Sequence, residues 1–308
     1  MKKIVFILHG KIKKQEQLMA RLKSVFGEAY QPDFRVTQHA DHSIELAQNA
    51  VTEGATHIIC LGGDGSLNEV VNGALRAADA GAGISNIKIG LLPYGTGNDF
   101  ARTMGVVNNS LLLKQCIDNE SYRAIDVGHT EYCDRHGKRA NRYFVNITDV
   151  GIGGAIAHDL DSSSKMFGSM LTYQIAIIKA LFTYKNKAVK VSADTFSYSK
   201  KIMSLVVANG RFFGGGMGIA PDAKIDDKLF SVVIIGEISI LEYLQNLGNI
   251  RKSKKIVHPE LQYLSASQIL IESADTEALP IDMDGEFIGF TPIQMKVVPA
   301  AINFICPK

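Results

Sequence analysis

The sequence carries no excess of either charge, no long apolar run and no closely spaced cysteines. Lys and Arg number 33 against 31 Asp and Glu, a net charge of +2. That balance excludes a dedicated nucleic-acid binder working through a strong basic field. Cys60, Cys116, Cys133 and Cys306 are far apart, with no C-x-x-C spacing. They cannot build a zinc knuckle and read as reduced, mostly buried thiols of a cytoplasmic protein. The N-terminal MKKIVFILHGK imitates a signal peptide, but its apolar run, Ile4–Leu8, is shorter than the ~7–15 residues such a core needs. It reads as a buried strand. The longest apolar stretch, 171–182, is interrupted by Gln174 and Lys179 and falls short of the ~20 residues that span a bilayer. A soluble chain is the reading, with no repeat and no low-complexity tract.

What is there is ordinary in bulk: 46% hydrophobic and 21% charged residues exclude disorder as the main state. With 308 residues the chain is long enough for two domains of roughly 100–200 each. Up to about residue 126 the pattern alternates. Apolar runs at 4–8, 34–37, 57–61 and 87–92 are separated by helical patterns that include 43–53, ended by Gly54, and 67–79. Runs apolar on both faces and separated by helices predict a parallel sheet covered on both sides. Beyond 126 the grammar changes to alternating segments at 142–147, 188–193, 202–208, 229–235, 268–272 and 294–298, read as antiparallel strands. Helical stretches near 166–183 and 238–250 interrupt them. The expectation is an α/β nucleotide-binding domain with a parallel sheet over 1–126. A mainly β, sandwich-type substrate domain follows over 127–308, with the last stretch of chain free to pack back on the first domain.

Two glycine-rich turns carry the functional reading. The run at 57–61 leads directly into Gly62, Gly63, Asp64, Gly65, Ser66, Leu67, Asn68 and Glu69. Glycines let backbone amides approach a phosphate closely, and the helix that follows adds its positive N-terminal dipole. Ser66 and Glu69 fit an S-x-x-E capping box that would fix the start of that helix. Asp64 is unusual in an anion site and makes sense beside Mg²⁺ or a ribose. A plain strand-to-helix turn would also use such glycines. The next run ends in Pro93-Tyr94-Gly95-Thr96-Gly97-Asn98-Asp99-Phe100-Ala101-Arg102, a second turn of the same kind, in which Asn98 or Asp99 could cap a helix. Two such turns on consecutive strands favour a nucleotide crevice at the carboxyl edge of the sheet.

GGDGS-x-NEV-x-NG followed by LLP-x-GTGNDFAR resembles the diacylglycerol kinase catalytic-domain family of bacterial lipid kinases. Downstream, Asn209-Gly210, Gly214-Gly215-Gly216-Met217, the run from Ala220-Pro221 to Asp226-Asp227, Asp284-Gly285-Glu286 and Val298-Pro299-Ala300-Ala301 continue the likeness over nearly the whole chain. The resemblance implies ATP binding by Thr37, Gly62, Gly63, Asp64, Gly65, Ser66, Leu67, Asn68 and Thr96. Ser66 keeps the hydroxyl of the family's more frequent threonine. The first turn, His9-Gly10-Lys11-Ile12-Lys13-Lys14, departs from the family's N-P-x-S-G, with Lys11 or Lys14 a phosphate contact or simply a solvated helix start.

Phosphoryl transfer relies on positioning, on charge neutralisation and on a group that orients the acceptor hydroxyl. Pattern alone makes Asp284-Gly285 a hairpin turn. The resemblance instead implies Glu286 as proton acceptor with Asp284 beside it, and a catalytic Mg²⁺ travelling with ATP near Asp64. It also implies a second, structural Mg²⁺ or Ca²⁺ held by the Asp227 carboxylate and the carbonyls of Lys224 and Leu229, a donor set of oxygens. Lys228 stands where the family usually has glycine. Lys165 occupies a basic position of the family or is a helix-end lysine. His39 and His42 lack a third ligand and read as solvent-facing. The basic run 251–255 reads as a charged surface that could meet anionic headgroups at about 1 kcal/mol per residue.

The function so implied is an ATP-dependent lipid kinase, with diacylglycerol the first acceptor and phosphatidic acid its product. A peripheral approach to the inner membrane face follows, and a homodimer is left open. The alternatives are a soluble-substrate kinase of the NAD kinase or phosphofructokinase type, or a non-catalytic lipid sensor on the same scaffold.

Overall fold

The computed structural model describes residues 2–81, 87–162, 179–180 and 182–308. Lys165 and most of the expected helical stretch 166–183 lie outside them. The chain forms two compact units, Met1–Asp126 with Pro299–Lys308, and Val127–Val298.

In the first unit strands and helices alternate: β1 (Ile4–Leu8), α1 (Gln15–Tyr30), β2 (Asp33–Val36), α2 (His42–Thr52), β3 (His57–Gly62), α3 (Asp64–Asp79), β4 (Lys88–Pro93), α4 (Asp99–Met104) and α5 (Ser110–Asp118). The strands run parallel in the order β2-β1-β3-β4. Every residue of β1 and β3 is buried, because successive side chains enter opposite helix-covered faces. Phe6 and Leu8 pack on Leu22 and Phe26 of α1 and Leu113 of α5. On the opposite side α2 lies close against α3, where a Cβ on Gly73 would fall 2.2 Å from the Ile44 carbonyl oxygen.

Helix α3 begins at Asp64, three residues before the expected start, with Gly63 in extended conformation as its N-cap and no side-chain cap. The Ser66–Glu69 capping box does not form. Glu69 points at the neighbouring helix instead, where its carboxylate accepts the amides of Asp41 (3.2 Å) and Ser43 (3.1 Å) at the start of α2.

The second unit is antiparallel and contains β5 (Tyr122–Asp134, which enters it from the first), β6 (Arg139–Phe144), β7 (Ile147–Gly151), α6 (Ile152–Ser162), β8 (Lys187–Ala193), β9 (Ser197–Ile202) and β10 (Ser204–Ala208). It continues through β11 (Phe230–Ile235), α7 (Ile240–Arg251), β12 (Leu261–Ala266), β13 (Gln268–Ser273), β14 (Pro280–Met283) and β15 (Glu286–Ile305). One layer runs β12-β11-β10-β7-β14, and the other places β13 between β15 and β8, with β9 beyond. Phe144, Leu205, Val207, Phe230, Ile269 and Ile293 belong to the core between them, which makes the unit a β-sandwich.

Two expected strands are each divided. The segment 142–147 breaks into β6 and β7 because the amides of Val145, Asn146 and Ile147 all turn toward the Asp284 carboxylate. The segment 202–208 breaks at Met203, where the chain leaves its pairing with β8 and joins β7 and β11. β15 leads out of this unit into the first, where Asn303 and Phe304 pair in parallel with Lys88 and Ile89 of β4.

Candidate active site

The carboxyl ends of the first unit's strands are in register: Leu8 lies opposite Val36 and Leu61, and Gly62 opposite Pro93. Their turns therefore emerge on one edge of the sheet, the edge where ligands of parallel α/β sheets bind. Thr37 is buried there, and its Oγ1 accepts the Gly10 amide at 2.9 Å. A Cβ on Gly10 would sit 2.2 Å from the Thr37 carbonyl oxygen, so the first turn needs its glycine.

The two glycine turns close on each other. The Tyr94 amide donates to the Gly62 carbonyl at 2.8 Å. A Cβ on Gly95 would lie 2.4 Å from Gly63 Cα, and one on Gly62 would lie 2.5 Å from the Ser66 side chain. The close approach of the two turns thus accounts for Gly63 and Gly95, and the packing of Ser66 within the first of them for Gly62, before any phosphate is invoked. Asp64 fastens the arrangement, its Oδ2 accepting the amide of Asp99 (3.1 Å) and its Oδ1 that of Phe100 (3.0 Å). It supplies the cap that α4 lacks from its own N-cap residue, since the Asn98 side chain instead bridges the amide and carbonyl of Gly95 (3.0 and 2.7 Å).

Not every expected ATP residue is free to touch a ligand. Leu67 is wholly buried and its amide donates to the Gly63 carbonyl, so it builds the turn from within. Asn68 is buried too, its Oδ1 accepting from Asn72 Nδ2 at 3.1 Å. Gly63, Asp64, Gly65 and Ser66 are half-exposed and Thr96 is exposed. The uncapped first turn of α3 leaves amide donors and a positive dipole at this edge, which fits the phosphates of a nucleotide.

In the second unit Asp284 and Gly285 have φ of +49° and +87°, a hairpin turn between β14 and β15 of the kind Asp-Gly favours. The Asp284 carboxylate is buried and accepts three backbone amides, from Val145 (3.0 Å), Asn146 (3.0 Å) and Ile147 (2.9 Å). Asp284, expected beside Glu286, is thus occupied by the backbone of the link between β6 and β7. Glu286, on the other side of the turn, is partly exposed and ion-paired with Arg142 at 2.9 Å. The pairing with Arg142 escaped the sequence reading because the two lie far apart along the chain.

Directly under this turn is a cavity of about 130 Å³, lined by Gly285, Ile152, Ile156, Leu160, Val206 and Met217 among others. Besides Tyr243, the polar residues Asp149, Ser204 and Asp282 interrupt its apolar wall. Asp149 and Asp282 face each other across β7 and β14. Ser204 Oγ donates to Asp149 Oδ1 at 2.8 Å, while Asp282 Oδ1 is buried without a partner among the described residues. Burial pushes the Asp149 carboxyl up to about 7, against the opposing hydrogen bonds from Ser204 and the Gly153 amide. Burial, followed by the charges of Asp149 and Asp284, holds Asp282 well above the carboxylate range. The sequence signal for Asp149 was a charged residue inside the buried run ITDVG.

Lys224, Asp227 and Leu229 do come together, lining a smaller cavity of about 60 Å³ with Asp222, Ser231 and Ser265. Asp227 Oδ1 accepts the Leu229 amide at 3.1 Å, and Lys228 adopts the left-handed conformation (φ +65°) natural to glycine. Among the described residues no three His, Cys, Asp or Glu side chains gather as a metal site, so a cation here would depend on backbone oxygens. In the basic run, Lys255 is ion-paired to Asp222 and lies over the Tyr263 ring. His39 is exposed and His42 half-buried, and their rings stack at 4.5 Å.

A parallel α/β unit with paired glycine turns, followed by a β-sandwich with a carboxylate turn, defines a two-unit kinase scaffold. Family models bear this out: residues 3–130 match the diacylglycerol kinase catalytic domain, and 147–306 match the YegS C-terminal NAD kinase beta sandwich-like domain. The chain belongs to the diacylglycerol kinase and YegS-like lipid kinase family. It is 28% identical over 275 residues to a diacylglycerol kinase of Staphylococcus carnosus, covering 88% of this chain and 83% of that one. To a YegS-like lipid kinase of Shewanella frigidimarina, named as probable, it is 24% identical over 99% of this chain and 94% of the relative. The crystal structure of a diacylglycerol kinase from Bacillus anthracis superposes with a TM-score of 0.71 at 20% identity, covering 99% and 97% of the two chains.

Proposed function

We propose that the protein transfers the γ-phosphoryl group of ATP to the hydroxyl of a lipid, with diacylglycerol the first candidate and phosphatidic acid its product. The observation that carries this reading is the apolar cavity beneath the Asp284-Gly285-Glu286 turn. A soluble acceptor such as a sugar phosphate or a dinucleotide calls for a polar, cationic pocket, and no Lys or Arg is among the described residues that line this one. Kinship with proteins named diacylglycerol kinase supports the same acceptor.

ATP bound with Mg²⁺ would supply the phosphoryl group and neutralise its charge. The first-turn amides of α3 and the exposed Thr96 hold the phosphates, while Thr37 fixes the neighbouring turn. Asp64 keeps the two glycine turns locked and is the carboxylate that would meet the nucleotide's metal. Glu286 takes the proton of the acceptor hydroxyl as the new O–P bond forms and the bond to ADP breaks. Arg142 orients it, and Asp284 holds the turn that presents it. A second cation at Asp227 would brace the loop that carries Lys224. No helix among the described residues is long and apolar enough to cross a membrane, so in this reading the enzyme meets its acceptor at the bilayer surface.

The test is transfer of label from ATP in Mg²⁺ to a mixed lipid extract. Label in the organic phase is expected, and in Glu286→Gln it falls by about 10²–10⁴-fold with ATP binding retained. Full activity of that variant would remove Glu286 as the base. Label moving instead into NAD or a sugar phosphate would overturn the lipid acceptor. Binding of ATP and lipid without transfer would favour a sensor.

A further inference from the structure

The cavity under the Asp284-Gly285 turn has one feature that an acyl-chain pocket does not need: two carboxyl groups without a counter-ion among the described residues. Asp149 is buried and Asp282 lines the cavity beside it, on directly paired positions of β7 and β14. No Lys, Arg or His is among the described residues that line the cavity. The donors the protein supplies are few: Ser204 Oγ and the Gly153 amide to Asp149, and the Gly285 amide to Asp282. Among the described residues Asp282 Oδ1 is buried with no partner, and so is the hydroxyl of Tyr184, close enough to Asp149 to sense its charge. A buried, unpaired carboxyl oxygen is costly, and native proteins keep one where a ligand satisfies it.

A divalent metal is a poor candidate to fill that need, because it asks for six or more oxygens and this wall is aliphatic. An alcohol offers a single donor and no charge. A protonated amine on an alkyl chain offers three donors and the missing positive charge, while its tail matches Ile152, Ile156, Leu160 and Val206. Cavities of roughly this volume with such walls accept a group of about six carbons.

We infer that this cavity binds amphiphiles carrying a protonated amine in preference to alcohols of the same length, with Asp149 and Asp282 supplying the counter-charge. The inference rests on the reading of the cavity as the acceptor site and narrows it. A long-chain amino alcohol is an acceptor, and an amine without a hydroxyl competes with the acceptor. Burial holds both carboxyls toward their protonated forms, so an incoming ammonium would stabilise their ionised state.

The test is calorimetric titration of the full chain with octylamine, octanol and octanoate. It is repeated with Asp149→Asn and Asp282→Asn, which keep the side-chain shape. Octylamine should bind at least tenfold more tightly than octanol, and octanoate most weakly. In both variants the ratio of amine to alcohol should fall to about one. Should either variant fail to give a cooperative thermal transition, the other carries the comparison, and the wild-type ratio is read in any case. A wild-type ratio near one, or a ratio unchanged by the substitutions, overturns the inference and leaves the lipid-acceptor reading standing. Binding of none of the three probes overturns both.

Discussion

In the first unit Asp64 and Glu69 give both carboxylate oxygens to backbone amides, whereas in the second Asp284 does so and Asp149 and Asp282 face an apolar cavity. Asp64 accepts the amides that open α4, and Glu69 accepts those that open α2. Asp284 does the same for the link between β6 and β7. Asp149 and Asp282, in contrast, have fewer donors than acceptor positions. A carboxylate with backbone donors on both oxygens holds chain segments in place. One with an empty oxygen in an apolar wall is available to a ligand.

The sharpest way to break that comparison is at Asp284. Replacement by alanine leaves three inward-turned amides unsatisfied and should cost at least 3 kcal/mol, on the order of one or more per lost charged bond. Thermal denaturation would register it, and a variant as stable as wild type would refute the holding role. Asp64→Ala removes two such bonds at a half-exposed site, with an expected loss of about 2 kcal/mol and, in the proposed function, loss of transfer.

The pH dependence of unfolding separates the units by sign. Burial, with Lys2 and Lys88 adding to it, depresses His57 in the first unit to about 4. An unfolded histidine takes its proton near 6.5, so this contribution is lost as pH falls from there toward 4. Asp149 is raised to about 7, so its contribution is full below the unfolded carboxyl range and is lost as pH rises through 7. Asp149→Asn should therefore raise the unfolding temperature at pH 8 by several degrees and change it little at pH 4. Equal gains at both would show that the carboxyl is ionised throughout. The smallest effect is at Lys228, whose φ of +65° costs a side-chain residue about 1 kcal/mol that glycine avoids. Lys228→Gly should gain up to that amount in urea unfolding, less the entropy glycine loses on folding.

The architecture was legible where physics acts locally. The run Ile4–Leu8 is a strand with no solvent face, and both the parallel first unit and the sandwich that follows were visible in the spacing of apolar residues. The glycine turns were equally visible, but the reason for their glycines was not. Gly63 and Gly95 are required by each other's backbone, a contact between residues more than thirty apart. Ser66 and Glu69 misled because S-x-x-E has the same spelling at a helix start and inside a helix that faces a neighbour. Ser239 and Glu242, which do form a capping box at α7, carry the same spelling. The break between β6 and β7 was hidden because its cause, Asp284, lies 138 residues away from Asn146. The cavity carboxyls were missed for the same reason, since Asp149 and Asp282 meet only when the sheet assembles.

One consequence concerns the order in which a ribosome delivers the chain. The strand that covers the β4 edge comes from Pro299–Lys308, after the whole of Val127–Val298 has been made. Ile302 and Phe304 are buried in that late strand. At about 5–20 residues per second, the first unit waits many seconds with an open, apolar flank while the second is synthesised. The nascent chain carries that open flank until Pro299–Lys308 has been made, and a nonsense codon ahead of Pro299 would leave it bare for good.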